Sequence, residues 1–264
     1  MKNLKTRLRQ GEALFGCWLN VGSSITAEIV GAAGFDWVLI DFEHGAGSEQ
    51  DILHQLQALE HTPAAAMVRV ESSERQRAHR VLDFGAEGVM FPQIRNVEEA
   101  RKVADAMRYQ PEGIRGVAKM TRSSRFGVDF EEYRARQEEQ LVGIVQIENE
   151  GILNSLDAVA AIEGVDVLFI GPVDLSLTLG TYGQKDHPRF REALRATADA
   201  ARKAGKAAGV LMQSLDEFQS YYDLGFRFIA CGSDSGFVFA GAHKTSSDLK
   251  TLRSKLNTDR AGGE

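Results

Sequence analysis

Along the whole chain, short and continuously apolar runs alternate with helix-length amphipathic segments. The runs are FGCWLN (15–20), DWVLID (36–41), AAMVRV (65–70), GVMFP (88–92), VGIVQIE (142–148), VLFIG (167–171), AAGVLM (207–212) and FRFIAC (226–231). Most lack strict period-two alternation, which is the pattern of parallel strands covered on both faces. The intervening segments carry helical spacing. Val97, Ala100, Val103, Ala104 and Met107 share one helix face, and Ile152, Leu156, Val159 and Ala160 share another. Eight β/α units in 264 residues predict a single (β/α)8 TIM barrel in the α/β class, since a doubly wound sheet more often uses five or six strands.

Two stretches stand outside the repeat. QPEGIRGVAKMTRSSRFGVDFEEY (110–133), between the fourth and fifth runs, is a long insertion rich in Gly, Ser and Arg, and loops of that length in a compact domain are usually functional. After the eighth run, a C-terminal helix is expected over about 236–256, with 257–264 disordered. No linker or second domain interrupts the chain, so residues 1–264 read as one domain.

Composition narrows the class. Lys plus Arg is 31 against 37 Asp plus Glu, a net charge of −6, so the totals force no basic face of the kind nucleic-acid binders carry. No apolar run approaches bilayer-spanning length and the charged N-terminal stretch has no apolar region after it, which predicts a cytoplasmic protein with no membrane role. Cys17 and Cys231 lie far apart with no CxxC or Cys/His cluster, and read as small buried residues rather than zinc ligands or a disulfide.

In such a barrel, chemistry sits at the C-terminal ends of the strands. Glu148 and Asp174 stand just beyond the fifth and sixth runs. They read either as a divalent-ion pair, because a hard cation takes oxygen ligands and keeps positions open, or as two solvated acids. Arg69 lies inside an apolar strand, where a guanidinium needs a partner or an anion. His44, in the loop DFEHG, is a functional candidate or a surface histidine paired with Asp41 or Glu43. Trp18 and Cys17 must face opposite sides of their strand, so only one of them can line the pocket, and a tryptophan there is otherwise simple core. Gln146 and Leu211 stand at further strand ends, and the glycines of GPVDLSLTLG and CGSDSG either cradle an anion or make tight turns. Asp83, in LDFGAEG, either orients a histidine or is a solvated turn residue, and His54, His61, His79, His187 and His243 read as surface residues.

The ordered set DFEHG, VRV, LDFGAEGVMFPQI, GIRGVA, QIEN, GPVDLS and GSD, from about Gly16 to Gly236, resembles the HpcH/HpaI aldolases, class II pyruvate aldolases that cleave 4-hydroxy-2-oxo acids. The resemblance implies a metal-dependent, reversible retro-aldol reaction on a substrate such as a 2-keto-3-deoxy sugar acid or a 2,4-dihydroxyhept-2-enedioate, giving pyruvate and an aldehyde. It implies Glu148 and Asp174 as ligands of Mg²⁺, Mn²⁺ or Co²⁺. It implies Arg69 on the keto oxygen, Gln146 and Trp18 lining the pocket, and Gly171, Val173, Asp174 and Leu211 completing it. His44, paired with Asp83, would work on the 4-hydroxyl proton. Members commonly form hexamers built from dimers with exchanged C-terminal helices, so a homo-oligomer is expected.

This chain has Glu71 after VRV and Val173 in GPVDLS, where the family often has proline and alanine, and Lys119, Arg122 and Arg125 make the insertion cationic, from which an acidic or polyhydroxylated aldehyde is expected. The rivals are a citrate-lyase β-like lyase of a CoA thioester, a metal-free phosphosugar-binding barrel using CGSDSG as its cradle, and a barrel without catalysis.

Overall fold

The structure, a computed structural model, describes residues 2–261, with side chains described through Leu256 except that of Glu138. Eight strands close into one parallel barrel in sequence order. They are β1 (Leu14–Leu19), β2 (Trp37–Asp41), β3 (Ala65–Arg69), β4 (Gly88–Phe91), β5 (Val142–Ile147), β6 (Val167–Ile170), β7 (Ala207–Met212) and β8 (Phe226–Ser233). Each run named from the apolar pattern is a strand. The continuous apolarity has the cause expected, because two cores are filled at once. Trp18, Leu39, Met67, Ile144 and Phe169 point into the barrel, while Cys17, Ile40, Val68, Val145 and Leu168 pack outward against the helices.

The barrel interior is solid. Trp37 of β2 stacks on Phe228 of β8 with ring centroids 3.9 Å apart. Gly16 on β1 is what makes room, since a Cβ there would stand 2.2 Å from the Trp37 ring. The short helix Leu4–Arg9 closes the floor, where Lys5 Nζ is 3.0 Å from Asp166 Oδ1. With the floor plugged, the end open to a ligand is the mouth, where the strands finish.

Helix starts follow local chemistry. Ser48 and Asp51 form a reciprocal capping box on the helix Glu49–Leu59, which fixes where the β2 loop ends. The face Ile152, Leu156, Val159 and Ala160 is buried as expected, but it is shared by two short helices, Glu150–Leu153 and Leu156–Ala160. Asn154 and Ser155 sit at the break, and such side chains compete with the helix for backbone hydrogen bonds.

The insertion is not at the mouth. It follows the helix Val97–Met107, so it emerges at the floor, and its own residues form a 3-10 turn (Arg122–Ser124) and the start of the helix Phe130–Gln140. Arg122 donates to the Phe84 carbonyl at 2.7 Å and pairs with Glu60, and Arg125 pairs with Asp129 at 2.7 Å. Within this chain these cations therefore lie at the end opposite the site, which removes the structural basis for reading an acidic aldehyde from them. A cleft of about 640 Å³ opens between the insertion and the barrel floor, lined by both guanidiniums (Arg122, Arg125, Arg136) and carboxylates (Glu60, Asp129, Glu132).

The last helix runs Asp234–Ala261, longer than expected. Of the tail expected to be disordered, 257–261 falls in its last turns and 262–264 lies outside the described residues. His79 also departs from expectation. It is half buried on the helix Arg75–Phe84, and its Nε2 is buried without a hydrogen-bond partner. Burial first, then Arg115 and Arg75, hold its pKa below 6.5.

Candidate active site at the barrel mouth

Strand alternation decides what reaches the mouth. On β2, Trp37 and Leu39 face inward, so Asp41 at the C-terminal end does too. On β3 the inward series Ala65, Met67 ends in Arg69, which is in register with Asp41. Gln146 ends the series on β5, and Leu211 packs at the inward edge of β7. Trp18 is the inward residue of its pair on β1, with its ring 5.5 Å from Phe169.

Arg69 is 8% exposed and clamped. Its Nε and Nη2 donate to the two oxygens of Asp41 at 3.0 and 2.7 Å, a bidentate pair. Asp41 Oδ1 also accepts the backbone N–H groups of Glu43 and His44, each at 3.1 Å, so DFEHG wraps around the carboxylate. Gly45 permits the wrap, because a Cβ there would stand 2.1 Å from the Asp41 carbonyl oxygen. What remains of the guanidinium is Nη1, facing the mouth 3.1 Å from Glu43 Oε2 and 3.5 Å from Gln146 Oε1. The guanidinium carbon lies 5.9 Å from the centroid of the Trp18 ring.

Glu148 is 4% exposed. One of its oxygens accepts the Gln93 backbone N–H, and Gln146 Nε2 donates to the other at 3.1 Å. Gln93 makes its contact from a left-handed backbone, φ 55°, an uncommon conformation for a residue other than glycine and the kind of strain that gathers at functional sites. Asp174 is exposed in the first turn of the helix Pro172–Thr178. The two acids converge over Gly171, where a methyl group would stand 3.4 Å from Glu148 Oε2, 3.4 Å from Gln146 Nε2 and 3.7 Å from Asp174 Oδ2.

The electrostatics are unbalanced. Burial raises the pKa of Glu148 despite the Gln93 N–H, and Asp174 and Glu43 push it further the same way against Arg69. Burial raises Glu43 too, opposed by Arg69 and His44 and reinforced by Asp41 and Asp174. Four carboxylates thus share one mouth with one guanidinium, and such a surplus favours a bound cation. The donors at Gly171 are oxygens, which fits a hard divalent ion. Among the described residues no group of three or more His, Cys, Asp or Glu is placed to hold a metal ion.

The mouth therefore gathers Trp18, Arg69, Gln146, Glu148, Gly171 and Asp174, with Leu211 at its edge and Val173 42% exposed beside Asp174. His44 extends from the β2 loop with its side chain 72% exposed, and its Nε2 is 3.8 Å from Glu43 Oε2. Asp83 does not join it within this chain. It ends the helix Arg75–Phe84 at the floor and pairs with the buried Arg115 at 2.8 Å. Helix C-termini and strand C-termini lie at opposite ends of such a barrel, which is why the two do not meet within one chain. CGSDSG is not an anion cradle either. Asp234 is buried, and its carboxylate takes the N–H groups of Asn20 at 2.9 Å and Val21 at 3.4 Å, the Thr26 hydroxyl at 2.8 Å and the Ser235 N–H at 2.9 Å. A second anion there would face that carboxylate.

Asp41 and Glu43 entered the sequence reading as neighbours of His44 within the motif DFEHG, and Gln93 only as part of the motif LDFGAEGVMFPQI, none of them with a role of its own. Period two on β2 could have found Asp41. Nothing in the sequence announces the turned backbone at Gln93.

The chain belongs to the HpcH/HpaI aldolase/citrate lyase family, whose model matches residues 14–240, from the first strand into the last helix. Its chemistry is accordingly that of a carbon–carbon lyase. It is 40% identical over 235 residues to a hydroxypyruvate/pyruvate aldolase of Roseobacter denitrificans, covering 89% of this chain and 91% of that one. It is 36% identical over 246 residues to a 5-keto-4-deoxy-D-glucarate aldolase of Salmonella arizonae, covering 93% and 96%. A crystal structure of a family protein from Burkholderia cenocepacia superposes with a TM-score of 0.88 at 33% identity, over 95% of this chain and 100% of that one.

Proposed function

We propose that this protein is a divalent-metal-dependent, cytoplasmic aldolase that reversibly cleaves a 4-hydroxy-2-oxo acid to pyruvate and an aldehyde. The observation that carries the reading is the convergence of Glu148 and Asp174 over Gly171, beside an arginine whose Nε and Nη2 are clamped by Asp41 and whose Nη1 faces the mouth. Those two acids would hold Mg²⁺, Mn²⁺ or Co²⁺, which when bound supplies a Lewis acid for the 2-oxo acid's oxygens.

The chain's own residues supply the rest. As the C3–C4 bond breaks, its electrons form C2=C3 and the C2 oxygen becomes an enolate oxygen. Arg69 Nη1 is the donor aimed at it, and because Asp41 fixes the other two nitrogens, the guanidinium needs little reorganisation as charge develops. His44 takes the 4-hydroxyl proton, and C4 becomes the aldehyde carbon. Water then protonates C3 to give pyruvate, and the hydroxide left behind takes the proton held by His44. Trp18, Gln146 and Leu211 shape the pyruvate side, and the exposed Val173 and His44 border the side open to the aldehyde. No lysine among the described residues stands at an inward strand end, so nothing supports a Schiff base. The relatives named for keto-deoxy sugar acids support a hydroxylated aldehyde half.

The reading includes a homo-oligomer, hexameric by the family expectation. The helix Asp234–Ala261 leaves Phe237, Val238, Phe239, Leu249, Leu252 and Leu256 exposed, and a second copy of this chain is the natural cover for them.

The test is pyruvate release from a panel of 4-hydroxy-2-oxo acids after EDTA treatment, with Mg²⁺, Mn²⁺ or Co²⁺ restored, beside Glu148→Ala. Activity that needs metal and disappears in the variant supports the reading. Activity indifferent to metal, or none with any substrate, overturns it.

A further inference from the structure

Beside the mouth lies a second, smaller cavity of about 120 Å³ that shares walls with it. Pro172 and Val173 line this cavity, and they follow directly on Gly171, over which Glu148 and Asp174 converge. Gln213 lines it too, at the next inward position after Leu211 at the top of β7. The cavity therefore opens beyond Val173, on the side of the mouth that faces the aldehyde. Its far wall includes Phe190 and Tyr221, both buried, with the Tyr221 ring held edge-on against Phe226 at 5.4 Å between centroids.

Some polar groups of this wall are engaged within the protein. The Ser176 hydroxyl donates to the Val173 carbonyl at 2.7 Å, and the Thr181 hydroxyl to the Ser176 carbonyl at 3.3 Å. Glu217 is held on one oxygen by the Lys185 ammonium and on the other by the Gln213 backbone N–H at 2.9 Å, so these two charges cancel. Two neutral groups are open. Neither the Tyr221 hydroxyl nor the Gln213 side-chain amide has a hydrogen-bond partner among the described residues, and Tyr221 is 7% exposed. Its hydroxyl is not sealed from solvent, and the cavity is the opening it faces. Burial, reinforced by Glu217 against Arg191, pushes its pKa up to about 12, so it stays a neutral donor. Buried polar groups are nearly always paired, and one left open to a cavity calls for a ligand.

We propose, on the footing of the aldolase reading, that this cavity receives the tail of the aldehyde half and selects an uncharged, hydroxylated one, held by the Tyr221 hydroxyl and the Gln213 amide. At roughly 30 Å³ for each water-sized group the cavity holds about four, the size of two carbons with a hydroxyl on each. Glyceraldehyde carries that tail. A carboxylate at its end would meet Glu217 with the neighbouring ammonium already engaged, and an alkyl tail would leave Tyr221 and Gln213 unpaired.

The test is addition of pyruvate, by the metal-replete enzyme, to three aldehydes of one skeleton. They are glyceraldehyde, propanal, which lacks the hydroxyls, and tartronate semialdehyde, in which a carboxylate replaces the terminal hydroxymethyl. Wild type is expected to prefer glyceraldehyde to each of the others by at least ~10-fold in kcat/KM. Tyr221→Phe keeps the ring and loses only the hydroxyl. It is expected to cut the glyceraldehyde-to-propanal ratio at least ~5-fold, through KM rather than kcat, and Gln213→Leu is expected to do the same. Tm is expected to stay within ~2 °C in both variants, since neither side chain gives up a hydrogen bond within the fold. A wild type that treats the three aldehydes alike or prefers the carboxylate, or a ratio that neither variant moves, overturns the proposal and leaves the aldolase reading standing. If wild type adds pyruvate to none of the three the proposal also falls, and the aldolase reading falls with it only where the cleavage panel releases no pyruvate either.

Discussion

Asp41→Asn is the sharpest probe of how the mouth is held. Asp41 and Arg69 are both buried, joined by contacts of 3.0 and 2.7 Å, and Asp41 Oδ1 also anchors two backbone N–H groups. Asparagine keeps one oxygen for Nε and those N–H groups, but it sets an NH₂ donor against the Nη2 donor where the 2.7 Å contact was. Removing one partner of a buried ion pair costs about 3–5 kcal/mol. Two features reduce that here. Glu43, 3.1 Å from Nη1, still faces the guanidinium, and one fewer acid relieves a mouth that holds four. An estimate of about 2–3 kcal/mol follows. At about 2–4 °C per kcal/mol for a domain of this size, Tm falls by about 4–12 °C. Thermal unfolding followed by circular dichroism in EDTA measures it, with Asp174→Asn as the comparison, since that exposed acid pairs with no cation among the described residues and its loss leaves Tm level or slightly higher. If Asp41→Asn melts within ~1 °C of wild type, the clamp does not carry the weight assigned to it.

Gly171→Ala puts a methyl group 3.4 Å from Glu148 Oε2 and 3.7 Å from Asp174 Oδ2, so Mn²⁺ affinity by calorimetry is expected to fall at least ~10-fold while Tm without metal moves by less than ~2 °C; unchanged affinity would place the ion elsewhere. His79, with its pKa held below 6.5 by burial and by Arg115 and Arg75 against Asp83, takes its proton later in the folded chain than in the unfolded one. Stability therefore declines as pH drops below 6.5 and levels off beneath the folded value; urea midpoints between about pH 7.5 and 5 should show a shallower decline in His79→Gln, and parallel curves would refute it. A chain ending at Gly241 loses the exposed Leu249, Leu252 and Leu256, and light scattering is expected to report a smaller assembly than wild type; an identical assembly would exclude the helix as its cover.

The barrel was legible because burial on two faces writes itself as continuous apolar runs, and each of these runs is a strand. Arg69 was legible because a guanidinium inside AAMVRV has no reason to be there without a partner. The partner was harder, since Asp41 looks from the sequence like the start of a polar loop and only register with Arg69 turns it into a clamp. Asp83 does not meet His44 within one chain, because a motif's order along the chain says nothing about which end of the barrel each piece reaches, and here helix direction sends it to the floor. The cationic insertion failed for the same reason: length marked it as unusual, while its place after a helix, not a strand, decided its end.

The Asp234 carboxylate has a mechanical consequence. It begins the last helix, yet it holds the turn after β1, and the Asn20 carbonyl in that turn accepts the Ala46 N–H of the β2 loop at 2.9 Å. A load on the long helix is thus delivered through one side chain to the two loops that frame Trp18 and His44. Anyone fastening this enzyme to a bead, a scaffold or a fusion partner by its C-terminal helix is pulling on the rim of its own active site. The floor, closed by Leu4–Arg9 and locked by Lys5 and Asp166, is the end by which to hold it.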